Sequence, residues 1–185
     1  MKNVFFKAIT MAALIFTFLG CSSDDSDIDL LNECPEGYMG ANCDVKKTPS
    51  KIKVTKIVLK EFPHLKPDGS NWDSWLDSTG SEPDIIIVLW KNSQPIYVSD
   101  VSYDVSNNTD ITLNIFPPLE IIEPNIQYTL GILDYDNGNV EDSEVMAGGN
   151  FLIYDSEDNG FPSIRNITSV EQLISIDFHL KYEFF

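Results

Sequence analysis

The stretch Asp84-Ile-Ile-Ile-Val-Leu-Trp90 restricts most tightly how this chain can fold. Pro83 precedes it and Lys91-Asn92 follows it, so the apolar run is too short for a buried helix. Its β-branched content predicts a strand covered on both faces. Residues 51–59 begin instead in strict alternation, with Ile52 and Val54 on one side, the pattern of a half-buried strand. Further strands are expected over 96–103, 111–116, 126–133 and 149–154, in a short piece near Ile164, and over 173–182. Stretches rich in Asn, Asp, Gly and Pro separate them, and no segment sustains a helical repeat beyond a turn at 169–172. About eight short strands within residues 51–185 predict one all-β domain, an antiparallel β-sandwich.

Charge removes several function classes. The 185 residues include 12 basic and 29 acidic ones, a formal net charge of -17, which repels nucleic-acid phosphates. With only His64 and His179 in the chain, a zinc site of common type is not expected. There is no nucleophile elbow, no phosphate-cradling glycine loop and no dinucleotide fingerprint, so no enzymatic activity is expected.

The N-terminus carries Lys2 and Lys7 followed by an uncharged apolar run, Ala8 to Leu19, too short to span a membrane as a helix. With Phe18-Leu19-Gly20-Cys21 at its end, the segment resembles the signal peptide and lipobox of bacterial lipoproteins. That resemblance implies cleavage after residue 20, lipidation of Cys21, and anchoring in the cell envelope. The acidic run Ser22 to Asp29, within a flexible tether over 21–33, resembles the signal that sends lipoproteins of Bacteroidetes-type bacteria to the outer face of the outer membrane. Surface exposure follows from that resemblance, and a plain solvated linker is the other reading.

With Cys21 lipidated, Cys34 and Cys43 remain as an even pair in an exported chain and are expected to be bonded to each other. The segment between them, Pro-Glu-Gly-Tyr-Met-Gly-Ala-Asn, is similar to the last loop of epidermal-growth-factor-like modules. The four upstream cysteines of such a module are missing, so residues 34–43 read as a stapled turn, followed by a linker over 44–50.

Two acidic loops sit between expected strands, one over 66–84 and the other over 134–144. Convergent carboxylates call for a hard cation such as Ca²⁺, which takes six to eight oxygens. An EF-hand does not fit the second loop, because Asn139 and Val145 stand where its glycine and bidentate glutamate would be. The spacing of Asp134, Asp136 and Asp142 instead resembles the third calcium loop of C2 β-sandwich domains. The resemblance implies a C2-like fold and a Ca²⁺ site shared with the first loop, to which Asp84 and, by proximity, Asp73 and Asp77 would contribute.

Trp72 and Trp75 flank the first loop and read either as a platform for a sugar ring or lipid interface, or as a plug over the sandwich end. Together these residues describe a lipid-anchored binding, adhesion or structural module whose ligand is an extracellular protein, glycan or lipid. A metal-free accessory lipoprotein with merely solvated acidic turns is the alternative, and a carbohydrate-binding accessory protein is a third reading.

Overall fold

The computed structural model describes residues 34–73, 82–136 and 138–185, and Cys21, Trp75 and Asp77 lie outside them. Among the described residues the regular structure is ten strands and one 3₁₀ turn over Val140–Asp142. The first two strands, β1 (Tyr38–Met39) and β2 (Val45–Lys46), form a small ribbon. The other eight make two four-stranded sheets, antiparallel throughout, which is the expected β-sandwich.

One sheet has the order β6 (Ile111–Ile121), β3 (Lys51–Glu61), β10 (Ile174–Glu183), β9 (Ile164–Ser169). The alternation seen at Ile52 and Val54 breaks in the sequence, because the next core residues are Ile57 and Leu59. A bulge resolves the break: the pairing of β3 with β6 shifts between Val54 and Lys56, which returns the apolar residues to the inner face. Strand β10 answers with Ile174, Ile176, Phe178 and Leu180, all buried. On the outer face Lys51 and Lys53 interleave with Glu120 and Glu183 in a network of ion pairs.

The second sheet has the order β5 (Gln94–Val98), β4 (Ile85–Lys91), β7 (Gln127–Asp134), β8 (Glu144–Leu152). Strand β4 is covered on both faces as its composition requires. Ile85, Ile87 and Leu89 enter the main core, while Ile86 and Val88 join Leu133 under Trp90, Val101, Tyr135 and Val140. The outer cover comes from Trp90 of the strand itself, from the loop residues Val101 and Tyr135, and from Val140 of the 3₁₀ turn, and it accommodates a continuous apolar run in an antiparallel sheet. A Cβ at Gly131 would lie 2.6 Å from the Trp90 ring, so the indole occupies the space this glycine leaves.

Several strand limits differ from the sequence expectation. Strand β6 continues through Pro117 and Pro118, since an edge strand tolerates residues that donate no ladder bond. Strand β8 starts at Glu144 rather than Gly149, with Glu144 and Val145 held by pairing with Asp134 and Leu133. Strand β5 ends at Val98, and the chain beyond it keeps only sparse pairing with β4, the Ser99 N–H donating to Ile87 O at 2.9 Å and Ser102 bridging Ile85.

Cys34 and Cys43 are joined by a disulfide. The stretch read as a linker after it contributes β2 and is bonded to the sandwich: the Ser50 N–H donates to Glu183 O at 2.9 Å, and Lys46 Nζ donates to the carbonyls of Ser156 and Asp158. Tyr38 meets Phe161 edge to face at 5.5 Å. Gly37 has φ +86°, and a Cβ there would run into the rings of Phe161 and Phe184. We therefore expect Gly37→Ala to lower the unfolding free energy by roughly 1–3 kcal/mol, through overpacking and left-handed strain. An unchanged urea midpoint would mean that the ribbon carries no share of the stability.

Candidate metal site

Pairing of β4 with β7 sets Asp134 opposite Ile85 at the sandwich end. The aspartate side chain is 0 % exposed. Its Oδ1 accepts the Asp84 N–H at 3.0 Å, and the chain is locked from the other side by the Tyr135 N–H donating to Asp84 O at 2.6 Å. No hydrogen-bond partner reaches Asp134 Oδ2 among the described residues. Asp73 and Asp136 each bring a carboxylate oxygen to this point, all three ligand atoms lying within 4.8 Å of one another.

Asp73 arrives there because the chain after β3 folds back on itself. Leu65 bridges Asn71, the Lys66 N–H donates to Ser70 O at 2.9 Å, and Gly69 turns with φ +84°. Asp68 fastens the turn by accepting from the Ser70 N–H and hydroxyl at 2.9 and 2.6 Å. Trp72 then anchors it: the indole is only 7 % exposed and donates through Nε1 to Pro63 O at 2.8 Å. Of the two readings of Trp72, the inward-turned indole with its N–H satisfied fits the plug. Its effect is to hold the neighbouring Asp73 in place.

Three carboxylates this close are costly. Two unit charges about 4 Å apart repel by ~4 kcal/mol at an effective dielectric of 20. Accordingly the Asp134 carboxyl is pushed up to about 7, first by burial and then by the charges of Asp73 and Asp136, against the opposing Asp84 N–H and Lys66. Lys66 lies across the Trp72 ring at 5.5 Å and pairs with Glu144 at 2.6 Å, so its charge is shared between that partner and the cluster. The loop sequence contains Lys66, yet its role depends on β8 starting at Glu144, which periodicity does not reveal.

Among the described residues the other expected ligands, Asp84 and Asp142, lie outside this group. Asp84 Oδ1 accepts the Asp104 N–H at 2.8 Å and pins the turn that covers β4. Asp142 sits in the 3₁₀ turn, where it accepts from Asn139 Nδ2 at 3.3 Å. Among the described residues the convergent set is Asp73, Asp134 and Asp136. A hard cation suits it: a fully buried carboxylate oxygen without a donor, beside two more carboxylates, needs either a proton or a positive ion.

No protein-family model matches the chain, and no curated protein matches it. Among solved structures it is similar to a C2 domain, with 8% identity, a TM-score of 0.45, and coverage of 72% of this chain and 98% of that one. It is also similar to human GIVD cytosolic phospholipase A2, with 16% identity and a TM-score of 0.45 over 74% of this chain, though only 17% of the enzyme's length is covered. At such values the likeness says nothing about the site.

The raised Asp134 carboxyl fixes a sign. Its native state holds a proton more tightly than the unfolded chain does, so in chelator its contribution to stability falls as pH rises from about 4 to about 7. His64 and His179, both pushed below 6.5 by burial, act in the opposite sense in acid. Comparison with Asp134→Asn cancels them. That variant keeps an acceptor for the Asp84 N–H and offers donors to its two neighbours. In chelator it should unfold at a higher temperature than wild type at pH 8, with the gap closing towards pH 5. A gap independent of pH would refute this assignment.

Proposed function

We propose that this chain is a lipid-anchored cell-envelope module that holds Ca²⁺ at one end of its β-sandwich, for structure or for ligand adhesion. The observation that carries the reading is the fully buried Asp134, with Oδ2 lacking a donor among the described residues and two further carboxylates converging on it. Loops that are acidic only because turns favour Asp would turn their carboxylates to water, and a 0 % exposed side chain does not do so. Asp73, Asp134 and Asp136 would hold the ion, which would supply the charge that the cluster lacks. Asp84 and Trp72 act as supports, one through the N–H that orients Asp134 and the other by fixing the loop that delivers Asp73.

Binding of extracellular type is expected, in the range of roughly 10⁻⁴ to 10⁻³ M. A lipid on Cys21 facing outward would place the domain where calcium reaches that level. No reaction is assigned, and the metal-free accessory role would leave the cluster protonated.

Thermal unfolding of the full chain tests this. Saturating calcium at about 100 times the dissociation constant should stabilise by ~2.7 kcal/mol relative to chelator, and Asp136→Asn should remove most of the effect. A midpoint that millimolar calcium leaves unmoved would refute the metal reading. Separately, Cys21→Ala should release the protein from the membrane fraction of a lipoprotein-processing bacterium, and retention there would refute the anchor.

A further inference from the structure

Strand β8 ends the order β5-β4-β7-β8, so one of its edges has no strand beside it among the described residues. Beyond the ladder with β7, residues 144–152 make no backbone–backbone hydrogen bond among the described residues. One outward donor is occupied in another way: the Gly148 N–H donates to the side-chain carbonyl of Gln172 at 3.1 Å. Backbone groups alternate along an antiparallel strand, so those of Asn150 and Leu152 face the same way as those of Gly148.

Depressions lie on both sides of this edge, and Gly148 lines each of them. One of about 200 Å³ opens between β8 and β9 and is lined by Leu130, Ile167 and Ile174. Another of about 430 Å³ is bounded by Trp90, Leu133 and Val145, which belong to the small outer cluster of the same sheet. Neither is lined by a charged side chain, in a chain whose net charge is -17. Between them Gly149 leaves open space, with nothing within 4 Å of the position its Cβ would take.

A row of outward N–H and C=O groups is complementary to another extended backbone, and the side chains of an added strand alternate between two faces. The two uncharged depressions match that alternation. Charge argues against a second copy as the occupant, because two chains of -17 repel each other. It also favours basic residues beside the paired segment, where Glu171 is exposed. We propose that β8 is the docking edge for an extended peptide segment of another protein, with apolar side chains at alternate positions and a basic flank. Gln172 holds the place of one partner carbonyl and withdraws when the strand arrives.

A fluorescein-labelled octapeptide of alternating valine and threonine between terminal lysines, titrated against the full chain by anisotropy, tests the proposal. Its counterpart with alternate amides N-methylated on the pairing edge is the control. Saturable binding of the first and loss with the second are expected. Gln172→Ala should tighten binding about three- to tenfold, the worth of one hydrogen bond that no longer has to be broken. Gly149→Glu, whose side chain enters open space, should abolish binding while leaving the unfolding midpoint in place. Equal binding of the methylated peptide would overturn strand addition, and so would absence of saturation at millimolar peptide with both wild type and Gln172→Ala. Sedimentation showing a dimer that Gly149→Glu dissociates would overturn the heterologous partner in favour of a second copy.

Discussion

The antiparallel ladder between β4 and β7 is the constraint on which the rest of the molecule depends. It places the most apolar strand at an inner position of its sheet, with side chains buried on both faces. The same register brings Asp84 and Asp134 to one end of the ladder, where one donates its backbone N–H to the carboxylate of the other. Hydrophobic burial along five residues, Ile85 to Leu89, thus holds a charged group in a position it would not otherwise occupy. The cost of burying that carboxylate is small beside the apolar area of Ile85 to Leu89, each nearly or fully excluded from water.

Asp134 and Asp136 were legible in the sequence because spacing within one loop is a local property, and both sit in the cluster. Asp142 shares that spacing but not the cluster, since a 3₁₀ turn capped by Asn139 carries it elsewhere. Asp84 was read as a ligand and is a support. Its Oδ1 accepts the backbone N–H of Asp104, twenty positions on, and nothing local announces that contact. Asp73 was named only by proximity. What places it is a hairpin-like turn tied by Asp68 and weighted by the buried Trp72, a tertiary arrangement with no periodic signature.

The strands themselves were largely visible, because period-2 alternation and β-branching report directly on burial. Failures cluster at edges. Strand β6 runs on through two prolines, and β8 begins at Glu144, well before the glycine pair. In both cases an outer strand is held by its single neighbour rather than by its own composition, so propensity understates its length. The phase change inside β3 was present as a broken alternation, yet only the bulge explains it. Residues after the disulfide carry linker composition and are nonetheless fastened to the sandwich, because Phe161, Tyr154 and Lys46 supply aromatic and cationic contacts that composition does not disclose.

The course of β3 has a mechanical consequence. Its Lys51 end adjoins the stapled ribbon, and its Glu61 end leads into the loop that carries Asp73. The strand lies between two antiparallel neighbours for most of its length. A pull that enters through Ser50 and is resisted at the acidic end therefore runs lengthwise along β3. It loads the bonds to β6 and β10 together in shear, rather than opening them one after another like a zip. The chain is so arranged that traction along this axis meets its most resistant line.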